Sequence, residues 1–500
     1  MRPSDILGKI RCFSNLSAKI SPQSAAVVIE FPTMPNAPRQ ETDSLTTITI
    51  PYSSDSSNLF ERIRHLPHAV WLDSGPGQMF NDSRYDICCA QPTKVLTTKA
   101  ARTRICSSQG EFFSTDNPFD LVEQALAELP SVIDMKLPFT GGAMGYFGYH
   151  LNRHLERLPT RPVDDVALPD MLVGIYDWAL IQDHHKQQAF ALFLPTVSDD
   201  QQRQILELVE NFQPSGGAIN SFKIKNLRSE CNEESYFRSL TKILGYIEAG
   251  DVYQVNFAQR FSAVFEGDPF RAYCHLRRLL PAPYSAFIKT GDDGAILSHS
   301  PELFLSVVGN QVLTKPIKGT RPRGQDRLAD NAMKSELLTS AKDQAENLMI
   351  VDLLRNDLGK HCVPGTIHVP ELFALQTFEN VHHLVSTVVG TLKAESTTTQ
   401  LLRDCFPGGS ITGAPKIRAM EIIAELEQTE RSAYCGSIGY LSCNGSMETN
   451  IAIRTVAANR NRLYAWGGGG IVADSDPASE YQECLDKIGI LLQGLSDPDL

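Results

Sequence analysis

The run RLYAWGGGGIVADSDPASEYQECLDKIGILL, residues 462–492, holds a strand, a glycine run and a helix in that order. Arg462–Trp466 reads as the strand. Gly467–Gly470 carry no side chains and let the backbone approach a ligand closely. Asp476 then offers a capping carboxylate and Pro477 a first-turn residue without an N–H. Tyr481, Cys484, Leu485, Ile488, Leu491 and Leu492 supply apolar contacts along a helix, while Glu480, Glu483 and Lys487 gather on one face. That face is either a solvated salt-bridge array or a functional one. Strand and helix follow one another in the same stretch, and the pattern repeats upstream, so the chain reads as α+β.

Three further segments place chemistry on defined elements. Pro407-Gly408-Gly409-Ser410-Ile411-Thr412-Gly413-Ala414-Pro415-Lys416 is a glycine-rich turn running into a helix over Ile417–Leu426. Free N–H groups at such a helix start bind anions, although a well-capped helix alone accounts for the same pattern. Ala329–Leu358 reads as one long helix, with Leu337, Leu338, Ala341, Ala345, Leu348, Met349 and Leu353 at the spacing of a buried face and Gly359 as its stop. Glu346 lies inside that apolar stretch. In Pro316-Ile317-Lys318-Gly319-Thr320-Arg321-Pro322, a lysine stands among poorly solvating neighbours. Desolvation lowers its pKa from roughly 10.4 toward neutrality and yields a free amine, a nucleophile or a base. A surface lysine in a loop is the alternative.

The 500 residues carry a formal charge of −12, with 42% apolar and 21% charged side chains. This is ordinary globular composition, and it argues against nucleic acid or an acidic membrane surface as a partner. The 11 cysteines are scattered, without zinc spacing, and read as reduced thiols of a cytoplasmic protein. There is no apolar run of membrane-spanning length. Residues 1–45 are Ser-rich, with Arg2, Lys9, Arg11 and Lys19, and are expected to form a disordered extension. Residues 46–212 hold β-like runs at Ala69–Ser74, Phe139–Tyr149, Met171–Asp177 and Phe190–Phe193. Residues 213–234 read as a linker, and 235–497 as a region of mixed helices and strands.

Taken together the motifs resemble the chorismate-utilising enzymes: anthranilate, aminodeoxychorismate, isochorismate and salicylate synthases. The carriers are GDVYQVNFAQRF at 251, SPELF at 300, PIKGTRPRG at 316, DQAENLMIVDLLRNDLG at 343, VHHLVS at 381, PGGSITGAPKIRAMEII at 407, GSIGY at 436, AIRT at 452 and GGGGIVADSDPASEYQECLDK at 467. The resemblance implies a large mixed β-sheet sandwich with helices packed outside and the site between sheets and helices. It implies Mg²⁺ held by Glu346 and Glu483, with Glu480 nearby. Glu302 corresponds to the general acid that protonates the departing carbon 4 hydroxyl, and His383 to the histidine beside the substrate. Arg454 and Tyr434 correspond to the pair that grips the enolpyruvyl carboxylate, and many relatives have tryptophan at the place of Tyr434. Gly319 and Thr320, just after the lysine position, are implied to bind substrate, while Thr412, Gly413, Ala414, Gly468, Gly470 and Lys487 line the anionic ligand with N–H groups and positive charge.

Two positions separate the branches. Water-adding members carry a basic lysine where this chain has Gln254. Anthranilate synthases usually read PIAGT where this chain reads PIKGT. The combination of Gln254 and Lys318 resembles the aminodeoxychorismate synthases of folate biosynthesis, in which the lysine attacks carbon 2 and ammonia then adds at carbon 4. No Gly-x-Cys-x-Gly elbow is present, so a separate glutamine amidotransferase subunit is implied as the ammonia source. The N-terminal region resembles the family's regulatory half. There Ser74, with Pro283, Tyr284 and Ser285, either lines a tryptophan pocket or packs as plain core. The competing functions are anthranilate formation and a non-catalytic, amino-acid-binding regulatory subunit. The latter predicts erosion of Glu302, Glu346 and Glu483, all of which are present.

Overall fold

The computed structural model describes residues 45–497, apart from 77–79, 81–83, 133, 135, 160–161, 212–220, 292 and 379–380. The extension expected at 1–45 therefore lies almost wholly outside the described residues. The described strands form two twelve-stranded sheets. The first runs Thr46–Ile50, Gln188–Phe193, Trp178–Asp183, Tyr85–Cys89, Val70–Asp73, Tyr284–Lys289, Gly294–Ser300, Thr455–Asn459, Arg462–Ile471, Gln254–Gly267 and Phe222–Ser229, with Gly413–Ala414 beside Gln254. The second runs Ile317–Pro322, Val381–Thr391, Gln311–Lys315, Leu303–Val308, Met447–Asn450, Ser437–Ser442, Gly142–Phe147, Met171–Tyr176, Lys94–Lys99, Arg102–Ser107 and Gly110–Ser114, with His368–Thr377 beside Val381–Thr391. The α+β class and the outer helices are as expected. The ladders between these strands are all antiparallel, a narrower description than the mixed sheet of the sequence reading.

Residues from 46–212 and 235–497 share both sheets. Leu72 stands opposite Ala286 in the first, and Gly145 opposite Gly439 in the second. A Cβ on Gly145 would lie 2.1 Å from the Leu172 carbonyl, so the strands there close up only on glycine. Alternation divides the core. Val70, Ile87 and Cys89 face the apolar layer that both sheets contribute to, with Ala143 and Tyr146. Trp71 and Cys88 point the other way, to a second layer under the helices Ser57–Ile63, Asp199–Glu210, Pro269–Leu279 and Pro477–Ser496.

Three local readings change. The linker ends early, because Phe222–Ser229 is a strand whose Phe222 is buried and whose Ile224 is half-buried between the exposed Lys223 and Lys225. This alternation was masked by its polar surroundings. The long helix is two, Arg327–Thr339 and Ala341–Gly359, broken at Ser340. Ser340 has extended backbone and caps the second helix by accepting from the Asp343 N–H at 3.3 Å. The glycine run lies within the strand Arg462–Ile471 and does not follow it; its glycines pair with Asn256–Gln259.

Candidate active site

The chain crosses between the sheets twice at one place. Strand Gly294–Ser300 of the first sheet passes through Pro301 and Glu302 into Leu303–Val308 of the second. Met447–Asn450 of the second passes through Arg454 into Thr455–Asn459 of the first. The crossings are bound together: the Ile451 N–H donates to the Glu302 carbonyl at 3.0 Å, the Ser300 hydroxyl to the Ile451 carbonyl at 2.6 Å, and the His299 N–H to the Arg454 carbonyl at 3.1 Å. Each crossing carries one charged residue, Glu302 on the first and Arg454 on the second.

Arg454 adopts φ +49°, a left-handed conformation that costs a non-glycine residue about 1 kcal/mol. Among the described residues its guanidinium has no carboxylate partner, and burial pulls its pKa down to about 10. A desolvated, unneutralised cation held in strained backbone is a seat for an anion. Tyr434 stacks on Trp466 at 5.9 Å and an interplanar angle of 7°.

Lys318 lies in the strand Ile317–Pro322. Between Lys318, opposite Leu384, and Thr320, opposite His383, the ladder slips by one residue. The extra residue is Gly319, at φ +78°, and such a bulge re-aims its neighbours. The Lys318 amine donates to the Ser410 carbonyl at 3.0 Å. Burial lowers its pKa, against the pull of the Glu346 and Glu302 carboxylates, and the Lys487 charge lowers it further. Glu302 is 4% exposed, and burial raises its carboxyl to about 7, against the Ser410 hydroxyl, the Lys318 charge and the Ile317 backbone. An acid and an amine, both displaced toward neutral pH, thus lie within electrostatic reach of one another. His383 Nδ1 lies 2.9 Å from the Thr320 hydroxyl, and its Nε2 has no partner among the described residues. Burial and the Arg454 charge lower its pKa to about 3, so its ring is neutral.

Gln254 is fully buried, and neither amide atom has a partner among the described residues. A Cβ on Gly470 would fall 2.1 Å from its Nε2, and one on Gly468 2.4 Å from the Phe257 carbonyl. A buried amide without a partner is destabilising until something binds to it. Gly413 and Ala414 pair with Val255 and Gln254. Thr412 differs from the reading that gave its N–H to the ligand: that N–H donates to the Gly409 carbonyl at 3.3 Å and its hydroxyl to the Gly408 carbonyl at 2.9 Å.

The three metal candidates come from two helices. Glu480 is buried and accepts from the Ser475 hydroxyl at 2.6 Å and the Lys342 ammonium at 3.2 Å. Glu483 pairs with Lys487 at 2.6 Å, with side chains 51% and 43% accessible, so that pair opens to solvent. Burial raises the Glu483 carboxyl, but Lys487, Lys342 and Lys318 together outweigh it and the net shift is downward. The Glu346 carboxyl is raised by burial, with Asp343 and Glu480 adding and Lys318 and Lys342 opposing. No cage of three or more acidic, histidine or cysteine side chains closes among the described residues. Hard carboxylate oxygens with mutual repulsion to relieve nevertheless suit Mg²⁺, which keeps several waters and needs one or two protein carboxylates.

Sequence reasoning passed over Lys342, Ser410 and the buried pair Arg431 and Glu427. Their i,i+4 spacing just past a helix was the available signal for the last. Arg431 donates to Glu427 at 2.8 and 2.7 Å, to the Ile411 carbonyl at 3.0 Å and to the Asn256 carbonyl at 2.7 Å. It thereby holds the glycine-rich turn against the strand that bears Gln254.

The residues singled out for tryptophan also meet. Ser285 stands opposite Asp73, next to Ser74. The Ser74 N–H and hydroxyl both donate to Asp86 at 2.7 Å, and the Ser285 hydroxyl donates to the Ala282 carbonyl at 3.0 Å. Pro283 is buried and Tyr284 half-buried beside them. Outside these sites, no described helix is long and apolar enough to cross a membrane, and the described cysteines are free thiols.

Comparison with known proteins agrees with this geometry. The family model of the chorismate binding enzymes matches residues 67–493. Aminodeoxychorismate synthase component 1 of Salmonella typhimurium is 45% identical over 91% of this chain and 100% of its own length. Anthranilate synthase component 1 of Acetivibrio thermocellus is 35% identical over 88% and 92%. The crystal structure of anthranilate synthase component I from Streptococcus pneumoniae superposes with a TM-score of 0.74 at 30% identity, over 82% of this chain and 92% of that one. With the family model covering most of its length, the chain belongs to the chorismate binding enzymes.

Proposed function

We propose that this chain aminates chorismate at carbon 4, giving 4-amino-4-deoxychorismate for 4-aminobenzoate and folate synthesis. The observation that carries the reading is the Lys318 amine, fixed on the Ser410 carbonyl within electrostatic reach of Glu302, with Gln254, not a basic lysine, at the place where water would be activated. The likeness to aminodeoxychorismate synthase component 1 supports it.

The chemistry follows from the two displaced pKa values. Lys318, as free amine, forms a bond to carbon 2 while the ring double bond shifts and the bond from carbon 4 to its hydroxyl breaks. Glu302 donates its proton to that oxygen, which leaves as water. Ammonia then bonds to carbon 4, the double bond shifts back, and Lys318 departs as the neutral amine. Glu302 recovers a proton from the new ammonium group, which closes the balance. Arg454 holds the enolpyruvyl carboxylate, neutral His383 and Gln254 orient the ring, and the glycine strand admits it. Mg²⁺ on Glu346 and Glu483, near Glu480, would hold the ring carboxylate and offset charge as the hydroxyl leaves. Ammonia is supplied by a separate glutamine amidotransferase subunit. A tryptophan beside Ser74 and Pro283–Ser285 is a further part of the proposal, supported by their meeting at one ladder, and equilibrium dialysis with tryptophan tests it.

Product identity tests the reading. The purified chain is incubated with chorismate, Mg²⁺ and ammonium at mildly alkaline pH, and products are separated with mass detection. A product that keeps the enolpyruvyl group and bears an amine in place of the hydroxyl is expected. Fluorescent anthranilate would replace this reading with that of the anthranilate-forming relatives.

A further inference from the structure

We propose that Asp330 is a positioning residue for the amination, its carboxylate locking the strand that carries Lys318 to the strand that carries His383. The inference rests on the amination reading above. Ile317–Pro322 is the outermost strand in the order of the second sheet, and among the described residues it pairs only with Val381–Thr391. Its ladder slips at Gly319, next to the lysine whose amine must attack. An edge strand with an interrupted ladder is weakly held by its own backbone, and a misplacement of about 1 Å costs a positioned nucleophile about a hundredfold in rate. Something other than the ladder must fix this strand.

Asp330 lies in the first turn of the helix Arg327–Thr339 and is 7% exposed. One oxygen of its carboxylate accepts from Arg323 Nε at 2.6 Å and from the Gly324 N–H at 3.1 Å, just past the end of the lysine strand. The same oxygen accepts from His382 Nε2 at 2.8 Å. His382 stands opposite Arg321, and the next pair along is Thr320 opposite His383. Successive residues of a strand point to opposite faces, so His382 turns to the helix while His383 turns away from it, to the Thr320 hydroxyl. The His382 ring is fully buried, and its Nδ1 lies 3.0 Å from the Thr377 hydroxyl. One carboxylate thus ties the chain beyond Lys318 to the immediate neighbour of His383.

The surrounding contacts leave the tie little slack. A Cβ on Gly324 would overlap the backbone nitrogen of Asp330, so the chain lies directly against the helix start. Arg323 also donates to the Phe378 carbonyl at 3.0 Å, and the Phe378 ring meets the His383 ring edge-on at 5.1 Å. Arg321, on the lysine strand itself, donates to Glu336 at 2.8 Å and to Asp343 at 3.1 Å, from the helices Arg327–Thr339 and Ala341–Gly359. Lys334 pairs with the second Asp330 oxygen at 2.9 Å. Of the three acids that hold these arginines, Asp330 alone also hydrogen-bonds the strand Val381–Thr391 among the described residues. Charge-assisted bonds of this kind fix direction as well as distance.

The test joins steady-state amination of chorismate with Mg²⁺ and ammonium, product quantified by mass, to hydrogen–deuterium exchange of the whole chain. In Asp330→Ala, kcat per folded molecule is expected to fall about a hundredfold while KM for chorismate changes less than about threefold. Amide exchange is expected to quicken at least about tenfold in 317–321 and 381–385 and to stay unchanged in Gly142–Phe147, a distant strand of the same sheet. Should the alanine variant not accumulate, Asp330→Asn, which keeps one acceptor oxygen, is read in its place, with kcat down about tenfold and the same local pattern of exchange. A kcat within about twofold of the parent overturns the inference. So does a loss of rate with unchanged exchange in the two strands, or with exchange raised equally in Gly142–Phe147. Lys318→Ala runs alongside. If it is inactive and Asp330→Ala keeps its rate, only the role of Asp330 fails. If Lys318→Ala is as active as the parent, the amination mechanism itself fails, and the role of Asp330 with it.

Discussion

Two arginines act on His299, and they are treated in opposite ways. Arg277, on the helix Pro269–Leu279, donates to Asp73 at 2.7 and 2.9 Å, reaches Asp55 at 3.1 Å and lies over Trp71 at 5.0 Å. Burial works against its charge, but Asp73 prevails and the pKa moves up. Arg454 has no acid within reach among the described residues, and its pKa falls to about 10. Both charges press on His299, which burial and the two cations hold neutral, at about 3. One cation is neutralised by the protein and serves the fold. The other is left for something from outside. An unneutralised buried charge is worth more as a guide to function than any amount of satisfied pairing.

That contrast can be broken by substitution. The largest effect is expected at Lys318, the other group left without a carboxylate bonded to it. Lys318→Ala should slow amination at least about a thousandfold while chorismate and Mg²⁺ still bind, as read by product formation beside calorimetric titration. Arg277→Met strands Asp73 and Asp55 and should lower stability by about 3–5 kcal/mol in denaturant unfolding, with little change in kcat per folded molecule. Glu302 comes next, through pH. Its folded pKa of about 7 exceeds the ordinary 4.5, so the folded state binds the proton more tightly. Its stabilising contribution is complete below about 4.5 and is lost as pH rises through about 7, a change on the order of 3 kcal/mol. Glu302→Gln should flatten that part of the stability profile. Arg454→Met removes an unneutralised cation, so it should raise KM for chorismate about a hundredfold without loss of thermal stability. Glu483→Gln, at a solvent-open position, should raise the Mg²⁺ requirement about tenfold.

The helix Pro477–Ser496 was legible because Asp476, Pro477 and the apolar spacing agree. The apolar strands Met171–Tyr176 and Gln188–Phe193 were equally plain. The break at Ser340 was not, because the apolar periodicity runs straight through it and only a cap, visible in three dimensions, ends one helix and begins the next. The sheet order was beyond reach for a similar reason. Nothing local in Leu72 or Gly145 names Ala286 or Gly439 as its neighbour. Within the candidate site, Lys318, Glu302 and Arg454 were singled out by type and motif. Ser410 was not, since it meets Lys318 through its backbone carbonyl and a sequence does not distinguish one carbonyl from another. The Thr412 N–H was misassigned because a free helix start and a hydrogen-bonded turn look alike in one dimension.

The central claim is that the amine left poised at Lys318 becomes a nucleophile. The direct test is to mix the chain with chorismate and Mg²⁺ without any ammonia source, quench rapidly, digest and map the mass of the peptide containing Lys318. The account predicts a gain equal to chorismate less one water on that peptide, lost when ammonium is added before the quench and absent in Lys318→Ala. An unmodified peptide from enzyme that aminates chorismate at full rate would contradict it.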